Sequence, residues 1–471
     1  MSKKLAEENQ LHHQNHGLKQ SQVRLWPLVM TIFFVVSGGA FGIEEVIGSS
    51  GPGMALILIL VIPLVWALPS ALMTAELSSA MPALGGYYVW VKRAMGPCAG
   101  FLSGWWTWLN TWVDNAIYPV LFVDYLSSFL NIFGVTALND HPLLRWGIAL
   151  FVIWPVVFLN ITGTRNAGYI SVIFSFFVLI PFVILSGLGL YHLVVHPTPI
   201  FEPFIPPGSS LVKSLGLGLS VAMWNYMGWD GISTLGEEVS EPQRTYPKAL
   251  FRATLVVSLS YLFPVIAGLA ISPDWQKWKP GYFPEIAMQV GGVGLAFLMT
   301  LGAVFSSVGQ FSANLLAASR VPFVLAHDGY LPKSLKSVHP KYGTPWVSIL
   351  LSSFIYSLLC FASFEDLILV SVILYAGALL LKFLALIFLR FQLPHLERPY
   401  KIPGGLPILI LICLLPMLIL GVTIIGTWSQ TSGIALLIPA AAVLSGPVFY
   451  PIAKKVFQTK FHEAIVLEVE A

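Results

Sequence analysis

Apolar segments alternate along this chain with short breaks rich in charged residues, proline and glycine. A helix needs about 20 mostly apolar residues to cross a bilayer. The pattern therefore predicts twelve membrane-spanning helices, which we number as spans 1 to 12. They cover residues 25–49, 54–78, 98–126, 142–161, 166–194, 211–238, 247–271, 292–320, 345–362, 366–390, 406–427 and 433–457.

Composition supports a protein whose solvent is the lipid bilayer. Hydrophobic residues make up 56% of the 471 residues and charged residues only 10%, whereas a soluble domain carries roughly 25% charged residues. An ordinary soluble enzyme is therefore excluded, and a net charge of +3 is too small to indicate a nucleic-acid partner. The chain has no P-loop, nucleophile elbow, zinc-protease motif or dinucleotide fingerprint, so we expect no enzyme activity, no cofactor and no ATP-driven pumping. The three cysteines lie far apart and indicate neither a metal site nor a disulfide framework.

The basic residues predict the orientation of the spans. Loops on the cytoplasmic side carry an excess of Lys and Arg. With both termini cytoplasmic, only Arg145, Lys213, Lys277 and Lys279 of the 25 basic residues fall outside, and Lys382 lies within span 10. We therefore expect a multi-pass plasma-membrane protein with polar cytoplasmic tails over residues 1–24 and 458–471 and no cleaved signal peptide.

Glycines interrupt two of the spans, span 1 at residues 37–42 (SGGAFG) and span 6 at residues 224–231 (WNYMGWDG). Each glycine costs about 1 kcal/mol in a helix relative to alanine, so both spans are predicted to unwind locally. Glycines in membrane helices also serve close packing, but acidic residues lie at both of these breaks. Paired interruptions in corresponding positions of two halves indicate the midplane site of a secondary transporter. The predicted fold is an all-α polytopic bundle with a LeuT-like inverted repeat of five spans each, over residues 25–195 and 211–391, followed by spans 11 and 12 over residues 405–457.

Four acidic residues lie at membrane depth: Glu44, Glu45, Asp114 and Asp230. A charge at a helix centre costs about 2.5–3.5 kcal/mol on insertion scales, and no Lys or Arg lies near them in sequence at a similar depth. Such a group needs protons, a metal ion or a cationic substrate. The predicted substrate-binding residues, with no metal ligand among them, are Gly38, Gly39, Ala40, Phe41, Gly42, Glu44, Glu45, Asp114, Asn115, Tyr118, Trp224, Asn225, Trp229 and Asp230.

Structural roles are the alternative for each of these carboxylates. Glu44 and Glu45 are placed to cap the second half of span 1, Asp230 to cap the second half of span 6, and Asp114 to join a buried polar network with Tyr118, which lies four residues on. The other ionisable residues in or near the spans are expected to serve as helix caps, gate salt bridges or snorkelling side chains. In that group, Glu76, Glu237 and Glu238 lie near cytoplasmic helix ends, and Lys382 is expected to extend towards the level of Arg390.

Three passages resemble the amino acid–polyamine–organocation superfamily, a resemblance that extends from Leu25 to about Phe457. They are Ser37–Glu45, Glu76–Leu77 with Pro82–Trp90, and Gly236–Leu250. The chain is more specifically similar to the polyamine uptake branch, known from plants and protozoa and related to the L-type amino acid carriers. The matching residues are the Glu44–Glu45 pair, Asp114–Pro119, Trp224–Asn225, Trp229–Asp230 and Arg398–Pro403.

This resemblance implies proton-coupled uptake of putrescine- or spermidine-like cations. One departure is Lys382, which stands where the plant carriers have an acidic residue, and it affects the expected coupling and inner gate. The alternative is a carrier for cationic or neutral amino acids, whose carboxylate would bind N–H groups at Gly38–Gly42 despite the two glutamates. A channel or receptor is disfavoured because the sequence shows neither repeated pore motifs nor a soluble signalling domain. For coupling, the acidic residues favour H⁺, while Ser306, Ser307 and Ser312 of span 8 are the candidates for a Na⁺ site.

Overall fold

Helices make up nearly all regular structure in the computed structural model, which describes residues 23–162, 167–234, 239–428 and 437–458. The α-helices are α1 (Leu25–Val36), α2 (Glu44–Ser50), α3 (Pro52–Ile62), α4 (Leu68–Ala80), α5 (Tyr87–Ile132), α6 (Ala137–Asp140), α7 (Pro142–Thr162), α8 (Ala167–Val195), α9 (Leu211–Asn225), α10 (Pro242–Ile271), α11 (Phe283–Ala318), α12 (Arg320–His327), α13 (Trp346–Leu359), α14 (Phe364–Gln392), α15 (Gly405–Trp428) and α16 (Leu437–Ala453). Short 3₁₀ or π turns lie at Pro63–Ala67, Gly231–Thr234, Trp275–Lys277, Lys333–Lys336 and Lys454–Gln458. Within the described residues, β-pairing is limited to one isolated bridge between Val23 and Val239.

Several sequence predictions concern segments outside the described residues. These are most of the two polar tails, the ends of spans 6 and 12 that include residues 235–238 and 433–436, and the beginning of span 5 at residue 166. The predicted interfacial residues Glu237 and Glu238 belong to this group.

The all-helical prediction is confirmed, and the protein is a multi-pass membrane protein. Among the described residues, eight helical segments are long and apolar enough to cross a bilayer, and Leu25–Val36 and Trp346–Leu359 are shorter apolar helices. Large apolar side chains such as Phe151, Val183 and Leu418 point outwards, as expected of lipid-facing residues. The total of twelve crossings and the five-plus-five repeat remain predictions.

Predicted boundaries agree best where charged or proline residues punctuate the sequence. Span 4 corresponds to Pro142–Thr162 and span 10 to Phe364–Gln392. Predicted spans 3 and 8 are shorter than the helices that contain them, because α5 and α11 each join two helical pieces across a single glycine, Gly96 (φ 85°) and Gly292 (φ 63°). Glycine alone adopts such φ values without strain, so helical geometry resumes after one residue.

Both predicted helix breaks are present. Between α1 and α2 the chain is non-helical, and Gly38, Gly39 and Gly42 have φ values of 61°, 96° and 88°. The second break follows α9, with Gly228 at φ 94°. These glycines also permit close approach, since a Cβ on Gly38 would lie 2.5 Å from the Gln310 side chain and one on Gly228 would lie 2.9 Å from the Val35 carbonyl oxygen. The first break therefore lies directly against α11, and the second lies directly against α1.

The helices that carry these breaks pack inside the bundle. Helix α5 runs along α14 and α11, and α1 lies between α8, α10 and α11. Polar side chains of α5, α11 and α14 therefore meet the backbone irregularities of α1 and α9 near the middle of the bundle.

Candidate functional site

A small internal cavity lies beside the two helix breaks, and we call it the central cavity. Its volume is about 50 Å³, which leaves room for only a few water molecules. Its walls come from α1, α5, α9, α11, α14 and the broken segment after α9. They are formed by Val35, Val36, Tyr87, Thr107, Asn110, Thr111, Asp114, Tyr118, Trp224, Met227, Gly228, Asp230, Gly231, Asn314, Ala317, Ala318 and Tyr375.

Asp114 presents a half-buried carboxylate to this cavity. Its Oδ1 accepts a hydrogen bond from Trp224 Nε1 and its Oδ2 accepts one from the Tyr118 hydroxyl, both at 2.8 Å. The Tyr118 hydroxyl in turn accepts from Asn314 Nδ2 at 3.1 Å. These donors are all neutral, and no cation among the described residues forms an ion pair with Asp114. The site therefore joins helices α5, α9 and α11 around one carboxyl group that no described cation neutralises.

Asp230 differs from Asp114 because it has a counter-ion. The expectation that no basic residue accompanies it was wrong, as was the expectation that Lys382 snorkels to the interface. Lys382 is 0% exposed, and its Nζ donates to Asp230 Oδ2. The Tyr375 hydroxyl donates to Asp230 Oδ1 at 2.6 Å. The close packing of α14 against α5 encloses this lysine, and a buried ammonium must then pair with the carboxylate within reach.

Glu44 fastens the first helix break. Its side chain is fully buried, and its carboxylate accepts hydrogen bonds from Gly42 N at 2.8 Å and from the Tyr125 hydroxyl. A carboxylate at the start of α2 also complements the positive end of that helix. Glu45 is half-buried and lies close enough to Glu365 for their charges to repel. Neither glutamate is among the residues that line the central cavity.

The remaining predicted site residues lie near the cavity without lining it. Asn115 Nδ2 donates to the Thr111 carbonyl and Asn225 Nδ2 to the Val221 carbonyl, both at 2.9 Å and both within their own helices. Trp229 is fully buried and donates to the Tyr226 carbonyl at 2.9 Å. Residues 38–42 form the break itself, outside the lining. The structure therefore brings four of the predicted residues to the cavity, and these are Asp114, Tyr118, Trp224 and Asp230.

Several lining residues were missed by sequence reasoning, including Tyr87, Asn110, Asn314 and Tyr375. Two of them had a usable signal. Asn110 precedes Asp114 by one helical turn, and Tyr375 precedes Lys382 by two turns, so each shares a helix face with a charged residue. Tyr87 and Asn314 carried no such local signal.

A wider cavity of about 440 Å³ lies on the side of the bundle that carries Lys279 and Glu365. We call it the outer vestibule, after the side that the distribution of basic residues predicts to face outwards. It is bordered by charged residues of both signs: Asp124, Arg145, Lys279, Glu285 and Glu365. Phe364 lines the outer vestibule and Trp224 the central cavity. Their rings meet edge to face with centroids 5.5 Å apart. We call this ring pair the aromatic partition, because each of its rings lines one of the two cavities.

The opposite side is closed by ion pairs. Glu76 is fully buried and accepts from Arg390 at 2.9 and 2.5 Å and from Ile402 N at 2.8 Å, with Arg398 Nε 3.4 Å away. The salt-bridge alternative for Glu76 is therefore confirmed. Lys92 pairs with Asp328 at 2.5 Å on the same side. These ion pairs join helices α4, α5 and α14 to the segments around Asp328 and Arg398 on this side.

Two helices broken at glycines, a small polar cavity beside the breaks and a separate closure on either side together define a membrane transporter of the secondary type. This class of protein moves a solute by opening one closure at a time, and it performs no covalent chemistry.

The chain belongs to the amino acid permease family, whose sequence profile matches residues 29–445. It is 36% identical over 443 residues to the polyamine transporter RMV1 of Arabidopsis thaliana, covering 92% of this chain and 86% of the relative. It is 38% identical over 390 residues to the polyamine transporter PUT1 of Oryza sativa subsp. japonica, covering 81% and 70%. The superfamily and the polyamine-branch resemblance inferred from the motifs are confirmed.

The fold has a solved counterpart. A crystal structure of MhsT in complex with L-phenylalanine superimposes with a TM-score of 0.62 at 15% identity, covering 87% of this chain and 99% of MhsT. At that identity the likeness establishes the fold alone.

Proposed function

We propose that this protein is a secondary active carrier that imports polyamines, such as putrescine or spermidine, across the plasma membrane by H⁺ symport and alternating access. The observation that carries this proposal is the carboxylate of Asp114, which faces the central cavity with neutral partners alone. The two plant relatives described above are named polyamine transporters, which supports the same substrate class.

An alkylammonium group fits the chemistry around Asp114. Each carboxylate oxygen uses one acceptor position for Trp224 or Tyr118 and keeps another for a charge-assisted hydrogen bond to the substrate. The Tyr118 and Trp224 rings, with centroids 6.2 Å apart, add cation–π attraction of about 0.5–2 kcal/mol. Apolar wall residues such as Val36 and Met227 suit the methylene chain that follows. A diamine or polyamine offers both of these parts.

An amino-acid substrate is the second candidate, favoured by the description of the family as amino acid permeases. In carriers of this architecture the amino end of a half-helix receives the substrate carboxylate. Here Gly42 N already donates to Glu44, Gly39 N to Ser37 Oγ at 3.1 Å, and Gly38 N to the Phe33 carbonyl at 2.9 Å. Glu44 thus supplies from within the chain the carboxylate that an amino acid would bring. This contact weighs against a zwitterionic substrate.

Proton coupling is supported by the partners of the buried carboxyls. Among the described residues, Asp114 and the fully buried Glu44 meet only neutral side-chain donors, so either can exchange a proton without leaving a buried cation unpaired. Two of the three alternative Na⁺ ligands already form hydrogen bonds. Ser306 Oγ donates to the Gly38 carbonyl at 2.6 Å, and Ser312 Oγ accepts from Asn160 Nδ2 at 3.0 Å. We assign Glu44 as the proton site and Asp114 as the ammonium site.

The closures suggest a path for the substrate. A polyamine enters the outer vestibule, the aromatic partition of Trp224 and Phe364 opens, and the cation reaches Asp114. Release on the opposite side requires the ion pairs of Glu76 and Asp328 to separate. The small central cavity must expand during this cycle, because about 50 Å³ does not hold a diamine.

The test is uptake by the purified protein in proteoliposomes. Radiolabelled putrescine, spermidine, arginine and leucine are compared with and without an acid-outside pH gradient. We expect putrescine or spermidine to accumulate with the gradient, to be lost on adding a protonophore, and to be unaffected when choline replaces Na⁺. Accumulation of leucine or arginine without competition from putrescine would overturn the polyamine assignment, and a strict Na⁺ requirement would overturn the coupling assignment.

A further inference from the structure

Lys382 lies in surroundings that suit a substrate ammonium group. Its Nζ pairs with Asp230, lies 4.0 Å from the centre of the Tyr87 ring and lies 5.4 Å from the centre of the Tyr375 ring. A carboxylate combined with aromatic faces is the combination that recognises alkylammonium ions. We call Asp230, Tyr87 and Tyr375 the lysine cage.

All three residues of the lysine cage also line the central cavity. The cavity therefore has two carboxylates in its walls, with different electrostatic states. Asp114 is half-buried and has neutral partners, whereas Asp230 is 2% exposed and is neutralised by Lys382. Only the first remains available to a cation that arrives from outside.

We propose that Lys382 determines substrate specificity by acting as a tethered substitute for a substrate ammonium group, which occupies the lysine cage and leaves Asp114 as the single ammonium receptor of the central cavity. This inference rests on the proposed function for its consequence in transport. The occupancy of the lysine cage by an ammonium ion is independent of which solute is carried.

The direct test removes the lysine side chain and supplies a free alkylammonium ion in its place. Truncation of the side chain in Lys382→Ala leaves a space beside Asp230 that a small alkylammonium ion fits. We expect ethylammonium at millimolar concentration to raise the thermal unfolding temperature of detergent-purified Lys382→Ala in a saturable manner, because a ligand that binds only the folded state stabilises it. Ethanol, which has a similar shape and no charge, should have no such effect.

The matched control is the double variant Lys382→Ala/Asp230→Asn. It has the same space and the same aromatic rings but no carboxylate, so ethylammonium should not stabilise it. Equal responses of the single and the double variant would overturn the proposal, because the stabilisation would then not depend on the cage carboxylate.

The specificity consequence is measured by competition. Butylamine and putrescine have the same four-carbon chain and differ in one ammonium group, so their ratio of inhibition constants isolates the second charge. In Lys382→Met, Asp230 is exposed to the cavity. The inhibition constant of putrescine, divided by that of butylamine, should therefore be about tenfold or more lower than in the wild type. A change of this size corresponds to one charge-assisted hydrogen bond. An unchanged ratio in folded protein would refute the specificity role.

The two kinds of failure are distinguishable. If wild-type protein in proteoliposomes transports no polyamine, the proposed function fails. The ethylammonium experiment on Lys382→Ala still tests the tethered-ammonium proposal independently. If polyamine uptake is robust and the single and double variants respond alike to ethylammonium, the tethered-ammonium proposal fails alone.

Discussion

Replacing Asp114 by asparagine is the sharpest test of the central cavity, because the geometry allows the charge to be removed without breaking the local network. The asparagine Oδ1 can accept from Trp224 Nε1, as Asp114 Oδ1 does at 2.8 Å. Its Nδ2 can donate to the Tyr118 hydroxyl, which already accepts from Asn314 and has a second acceptor position. The shape and both contacts are kept. The Tyr118 contact reverses its direction, so the Tyr118 O–H loses Asp114 as its acceptor when the carboxylate charge is removed.

The expected loss follows from the environment of this carboxylate. Removing one partner of a buried charge pair costs about 2–5 kcal/mol. Because Asp114 is half-buried rather than fully enclosed, we expect the lower part of that range, about 2–3 kcal/mol. The KM for putrescine should therefore rise roughly 30- to 150-fold in Asp114→Asn, with near-normal thermal stability.

The assay is initial-rate uptake of radiolabelled putrescine in proteoliposomes, with unfolding temperature measured on the same preparation. Asp366→Asn is the matched control, since Asp366 is an exposed carboxylate outside the cavity that accepts from Ser363 Oγ at 2.8 Å. In Asp366→Asn the KM for putrescine should change by no more than about twofold, because surface substitutions have small effects. A normal KM in folded Asp114→Asn would refute the assignment of the substrate ammonium to this residue.

Three further substitutions test neighbouring parts of the mechanism. In Trp224→Phe the ring remains and one neutral hydrogen bond to Asp114 is lost, so the KM for putrescine should rise only about two- to tenfold; an effect as large as that of Asp114→Asn would contradict this ranking. In Glu44→Gln the acceptor for Gly42 N is kept and the proton site removed, so uptake should no longer respond to the pH gradient, whereas exchange of labelled for unlabelled putrescine should persist; a retained gradient response would exclude Glu44 as the proton site. In Glu76→Gln one partner of a buried ion pair loses its charge, so the free energy of unfolding should fall by about 3–5 kcal/mol and the unfolding temperature should fall with it, while the KM for putrescine stays near normal. A raised KM with unchanged stability would place Glu76 in substrate binding instead.

The features that sequence alone predicted are those with local causes. Glycine clusters change backbone preference within a few residues, so both helix breaks were predicted at their observed positions. Long apolar runs likewise predicted the helices. The boundaries of α5 and α11 were missed because a single glycine with positive φ joins each apolar span to a preceding helical piece. That piece carries charged residues, Lys92 and Arg93 in α5 and Glu285 in α11.

The features that sequence could not predict depend on which helices meet. Asp230 and Lys382 are 152 positions apart, and nothing local to either residue specifies the partner. The four acidic residues at membrane depth were therefore grouped together, although the structure gives three of them distinct surroundings. Asp114 faces the central cavity, Asp230 is neutralised by Lys382, and Glu44 binds the helix break.

Under the proposed function, these different surroundings account for the adaptation of one family fold to a cationic solute. The amino end of a broken helix attracts an anion, and in this chain Glu44 occupies that position next to Gly42 N. A carboxylate in an aromatic cage attracts a cation, and Lys382 occupies that position next to Asp230. With one internal anion and one internal cation already bound, the central cavity keeps a single unmet charge at Asp114. A zwitterionic amino acid would have to displace Glu44 and bind Asp114 at once, whereas an alkylammonium ion needs to displace neither internal group.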